Sequence, residues 1–150
     1  MLEFLASYTD AASLVVRVFV GVLMLVHGYP KLFVKEARNQ MIPAMKSMGV
    51  PRAAFEVAGV NEFFGGLFLI LGLLTRLVSI FFVVEMISTT ILYVTKLANA
   101  PLPRGALEQQ FKQTHGYLTG WELDTVILAS AVALMVLGGG AFSLDAVLRL

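Results

Sequence analysis

Charged residues are sparse along this chain, and the stretches between them define its elements. Four segments qualify: Ala11 to Gly28, Phe55 to Leu74, Leu77 to Val94, and Leu123 to Phe142. Their only charged or histidine side chains are Arg17, His27, Glu56, Glu62, Glu85 and Asp124. A helix needs roughly 20 mainly apolar residues to cross hydrocarbon, so each segment is read as a transmembrane helix. The runs are continuous and do not alternate, which argues against a β-barrel. A chain of 150 residues is too short to bury four such helices in a soluble core. The pattern predicts an all-α, integral membrane four-transmembrane-helix bundle, a single membrane domain over 1–150.

The polar punctuation between the runs fills in the layout. Thr9, Asp10 and Ser13 are candidate N-caps for helix 1. Gly28 and Pro30 in HGYPK are expected to stop it. The connection from Pro30 to Ala54 spaces Leu32, Phe33, Val34, Ile42, Met45 and Met48 among Lys31, Lys35, Arg38 and Lys46. That spacing suits an interfacial amphipathic segment between helices 1 and 2, basic face outward and broken at Pro43. GVPR at 49–52 reads as a turn. LLTRL leaves almost no loop between helices 2 and 3, so they are expected to form a tight antiparallel hairpin. A second long connection, Thr95 to Trp121, begins irregularly at ANAPLPRG, with a short helix expected over Leu107 to Thr114. GGGAFSLDAVLRL closes the chain.

Composition agrees. The chain is 58% hydrophobic and 14% charged, against about 45–50% and about 25% for soluble domains. Its first residues carry Glu3 and Asp10 in place of the basic start of a signal peptide, so the first run is read as a retained helix. A net charge of +1 gives nucleic-acid binding no support. Without cysteine, disulfides, thiolate metal sites and cysteine-held iron–sulfur clusters are excluded. Of the 11 Lys and Arg, eight lie with the two long connections and Arg17, Arg76 and Arg149 lie with the termini. The positive-inside rule then gives a multi-pass protein of the cell membrane with the long connections cytoplasmic and both termini outside.

The candidate chemistry lies in one half of the bundle. At about 1.5 Å per residue, Glu62 is roughly 10 Å and Glu85 roughly 12–14 Å in from the side of the long connections. His27 is within about one turn of that end, and Glu122 and Asp124 open helix 4 there. Gly59, Glu62 and Gly66 share one helix face, while Asn61 points about 100° away. A carboxylate at such depth costs several kcal/mol unless paired or protonated. Glu62, Glu85 and His27 are therefore expected to face one polar pocket as a proton relay. Lys31, Tyr29, Tyr93 and Trp121 are candidate substrate-binding residues at its mouth; for the aromatics the alternative is an ordinary interfacial belt. His27 and His115 raise a bis-histidine haem, which no surrounding pattern supports; neither haem nor metal is expected.

Three stretches carry a family resemblance. RVFVGVLMLVHGYPKL (17–32), GVNEFFGGLFLILGLLTRL (59–77) and WELDTVILASAVALMVLGGGAFSLD (121–145) resemble the DoxX family of small bacterial and archaeal membrane proteins. The second, a glutamate followed by paired glycines and a tight turn, is the most specific. His27, Lys31, Glu62, Gly65, Gly66, Arg76 and Asp145 are the matched positions. The resemblance implies a four-helix bundle linked to redox chemistry, as in the membrane part of thiosulfate:quinone oxidoreductases, which work with a second subunit.

Three functions are compatible with these features. The first is a quinone-linked oxidoreductase subunit with other subunits of a membrane redox complex as partners, quinone in the polar pocket and the lipid bilayer around it. The second is a non-catalytic membrane anchor or assembly subunit. The third is a small-solute or proton transporter, which four spans without broken helices make less apt.

Overall fold

A computed structural model describes residues 8–92, 94–95 and 121–150, with the backbone alone at Trp121. Tyr93, His115, the Trp121 side chain and the helix expected over Leu107 to Thr114 lie outside what is described. The described chain is helical: α1 (Thr9–Phe33), α2 (Lys35–Ser47), α3 (Arg52–Leu71), α4 (Thr75–Leu92), α5 (Trp121–Leu137) and the short α6 (Leu144–Leu148). Among the described residues, α1, α3 and α4 are long and apolar enough to cross a membrane. Helix α5 has 17 residues.

The boundaries differ from the sequence reading in instructive ways. Helix α1 does not stop at Gly28; it continues through Pro30 to Phe33. Gly28 is a contact and not a cap. A Cβ there would fall on the backbone of Phe63, so α1 and α3 touch main chain to main chain. Lys31, the next residue after the proline, is tied to Glu62, and Phe33 packs edge-on against Phe63 at 5.0 Å between ring centroids. These contacts hold the turn that Pro30 weakens. Pro43 likewise lies inside α2 and does not break it. The N-cap of α1 is Tyr8, without a side-chain cap, and Ser13 is buried within the helix, donating to the Gly138 carbonyl at 2.5 Å. Helix α5 stops at Leu137, short of Phe142, because Gly138 (φ 72°) and Gly140 (φ 71°) turn the chain left-handed.

Helix α3 is not regular. Arg52–Val60 and Gly66–Leu71 are α-helical, but Asn61–Gly65 between them is a π-helical turn. Such widened turns are rare and concentrate at functional sites. Gly72 (φ 67°) then ends the helix, and Thr75 starts α4 after the short turn that LLTRL predicts.

The helices pack mainly as two pairs, α1 with α3 and α4 with α5. Val20, Met24, Leu69, Phe82, Ile127 and Leu134 form the seam where the pairs meet. Phe19 (74% exposed), Val57 (67%) and Val136 (69%) point outward, as side chains facing lipid do. In hydrocarbon, helix association rests on close packing of small residues. The paired glycines of the NEFFGG motif serve both sides. A Cβ on Gly66 would stand 2.6 Å from the Gly21 carbonyl oxygen of α1, and one on Gly65 would stand 2.9 Å from Phe82 of α4. Gly66→Ala is expected to lower unfolding stability in detergent by about 1–3 kcal/mol, the usual cost of overpacking. An unchanged denaturation midpoint would show that the helices do not meet there.

Candidate functional site

Residues from all four long helices converge at the end of the bundle where α1 finishes. Lys31 stands in the last turn of α1 and makes an ion pair with Glu62 of α3, whose side chain is only 6% exposed. The π-helical turn places adjacent residues on different neighbours: Glu62 faces α1, and Asn61 turns to α4, where its amide donates to Glu85 Oε2 at 2.5 Å. Glu62 and Glu85 meet across the α3–α4 interface, and Glu85 also lies within electrostatic range of Lys31. Each carboxyl keeps one buried oxygen, Glu62 Oε2 and Glu85 Oε1, that takes no hydrogen bond from the described residues. The two glutamates are therefore neighbours, although of the pair only Glu85 lines the adjoining chamber.

The network extends into α5. Asp124 lies beside Thr89 of α4, whose hydroxyl donates to the Met86 carbonyl at 3.1 Å, and in electrostatic range of Lys31 and His27. Its Oδ2 is another buried oxygen without a partner. Lys31, Asn61, Glu62, Glu85, Thr89 and Asp124 form one polar belt through the bundle. Two acidic sites with open lone pairs on either side of a lysine can accept, hold and pass protons. The ammonium offsets the cost of burying carboxylates at that depth.

An apolar chamber of about 740 Å³ adjoins this belt. Val57, Val60, Phe81 and Val84 form its walls, Met45 of α2 and Met48 just beyond it close one side, and Lys31, Asn61, Glu85 and Thr89 supply its polar groups. Val57, Val60, Phe81 and Val84 are also among the exposed residues, so the chamber opens between α3 and α4 toward the face that meets lipid. Its volume is within the range of small-molecule sites, and a mainly apolar lining with a few convergent polar groups is their usual form. Helix α2 is held over it by Arg38, which donates to the Lys31 carbonyl at 2.6 Å and to Glu56 of α3 at 2.6 Å.

The other residues singled out from sequence fall elsewhere. His27 is exposed on α1 and does not line the chamber; it neighbours Asp124. Tyr29 is 51% exposed and packs with Phe33 and Phe63, outside the chamber lining. Tyr93 and the Trp121 side chain are outside the described residues. Sequence marks none of Asn61, Thr89 and Asp124 as a site residue. Depth alone places Asp124 near the belt. The roughly 100° between Asn61 and Glu62 turns Asn61 to α4, but sequence does not say that Glu85 lies there.

The opposite end of the bundle is a structural clasp. Arg17, 1% exposed, donates to the carbonyls of Leu69 (3.2 Å), Ile70 (3.0 Å) and Phe142. Asp145 caps the start of α4 from 70 residues away, accepting from Leu74 N at 2.6 Å and Thr75 N at 2.9 Å. Gly72 has no room for a side chain there: a Cβ would meet Arg17 Nη1 at 2.6 Å. This geometry accounts for the SLD tail and the tight turn together.

No curated protein and no solved structure matches the chain. The DoxX family model matches residues 12–96, more than half of the chain. That stretch includes the glycine contacts between α1 and α3, the π-turn, and both glutamates of the belt. The chain belongs to the DoxX family, a family of small membrane proteins.

Proposed function

We propose that this protein is the membrane subunit of a quinone-linked redox complex, with the quinone headgroup held in the chamber between α3 and α4. The observation that carries this reading is the chamber itself: apolar walls, an opening toward lipid, and a polar end where a cation and a carboxyl converge. A quinone needs an apolar route from the bilayer, a hydrogen-bond donor at its carbonyls and a source of protons for reduction. Lys31 and the second amide hydrogen of Asn61 serve as donors. Glu85 delivers protons to the carbonyl oxygens, Glu62 behind it resupplies them, and Asp124 and His27 connect the pair to the aqueous side. The two electrons come from a redox cofactor in a partner subunit or from a bound reductant. In this reading α5 is the fourth crossing, its 17 residues being near the lower limit of about 17 for a span. Helix α2 lies in the interface with its lysines outward, and the long connections face the cytoplasm.

The test is quinone binding by the detergent-purified protein, read as a ligand-dependent rise in thermal stability. Ala58 lines the chamber, and Ala58→Trp should fill it and abolish the rise. Glu85→Gln keeps the shape and the bond to Asn61, so binding should persist while quinone reduction by the complex falls by about 10²–10⁴-fold, the usual contribution of a positioned proton donor. Equal quinone stabilisation of the wild type and Ala58→Trp would sink the chamber assignment.

A further inference from the structure

A second cleft, about 430 Å³ in volume, opens at the far end of the bundle from the polar belt. It is bounded by the start of α4, the Gly138–Gly140 loop and α6, and Arg76 and Arg149 stand on its rim. Both arginines are exposed, and neither side chain makes an ion pair or hydrogen bond with any described residue. The only side-chain carboxylate in the lining is Asp145, and both its oxygens are committed to the backbone of Leu74 and Thr75. The cleft therefore presents two unpaired guanidinium groups.

Position selects the kind of anion. Arg76 is the second residue of a membrane-spanning helix, which puts it at headgroup level. Around the cleft, Leu77, Leu144, Leu148 and Leu150 are exposed, an apolar rim against which acyl chains can lie. Guanidinium pairs bind phosphate through two parallel hydrogen bonds, and basic pockets between transmembrane helices bind anionic headgroups. We propose that this cleft binds the phosphate of an anionic phospholipid, with Arg76 and Arg149 as its ligands. The site is separate from the quinone chamber and does not depend on it.

The experiment is native mass spectrometry of the full chain in mild detergent, titrated with phosphatidylglycerol and, separately, with phosphatidylcholine and inorganic phosphate. Wild-type protein should retain phosphatidylglycerol in preference to phosphatidylcholine. Arg76→Gln with Arg149→Gln should weaken that retention roughly tenfold or more, since each basic residue near a headgroup adds appreciably to binding. Arg52→Gln, at the other end of the bundle, should leave it unchanged. Both cleft arginines are exposed and unbonded, so the variants should keep the wild-type elution profile, and Arg149→Gln alone should show an intermediate loss. Equal retention by wild type and the double variant would overturn the site. Binding of inorganic phosphate without phosphatidylglycerol would overturn its assignment to lipid.

Discussion

Arg17→Leu should leave little folded protein. Its guanidinium holds three carbonyls, those of Leu69, Ile70 and Phe142, and so joins α1 to the end of α3 and to the loop after α5. In hydrocarbon each carbonyl freed in this way costs several kcal/mol, because no water can replace the donor. The loss should reach about 2–6 kcal/mol, since each buried acceptor left unpaired costs about 1–3 kcal/mol and only the Leu69 carbonyl keeps another donor, the Gly72 N–H. Arg17→Lys should fall between, since one ammonium cannot span three separated oxygens. The check is the fraction of protein eluting as a monodisperse species after extraction, followed by its denaturation midpoint. A leucine variant with wild-type yield and midpoint would show that the clasp does not hold the bundle together.

The second large effect concerns the ion pair of the belt. Lys31→Met removes the cation beside Glu62 and leaves a nearly buried carboxyl group without its partner. Breaking a buried pair from one side costs about 3–5 kcal/mol, whereas replacing both members is often close to neutral. The double variant Lys31→Met with Glu62→Gln should therefore recover most of the stability lost by Lys31→Met alone, while quinone reduction stays impaired. This separates the structural part of the pair from its chemical part. Additive losses in the double variant would mean that the two side chains do not act on each other in the membrane.

Much of this arrangement is legible in the sequence because depth is counted along a helix. Glu62 lies nine residues before the end of α3 at Leu71, and Glu85 lies ten residues after the start of α4 at Thr75. In a hairpin with a short turn, equal distances from the turn mean equal depth, so the two carboxyls had to be neighbours or face apart. Helical spacing puts Gly59 and Gly66 on one face with Glu62, and that face meets α1.

What the sequence hides is local backbone geometry. A π-turn has no residue signature in NEFFG, yet the structure has one at Asn61–Gly65. Pro30 and Gly28 look like a helix end, because their intrinsic preferences are those of a terminus. Tertiary contact overrides them: the main chain of Phe63 needs the space beside Gly28, and Glu62 holds Lys31 in the turn beyond the proline. Arg17 reads as an isolated charge in an apolar run. Its partners are carbonyl oxygens, which every residue has and no sequence pattern marks.

The chamber and its polar end are the centre of this account, and one measurement addresses them most directly. The native protein is extracted from its own membranes in mild detergent, and every co-purifying chain and lipid-soluble cofactor is identified by mass spectrometry. The expected result is a quinone retained together with a partner that carries a redox cofactor, and loss of that quinone from Ala58→Trp with the complex otherwise intact. An intact complex with no quinone on the wild-type chain would contradict the reading and make this protein an anchor, with the glutamate pair serving assembly alone.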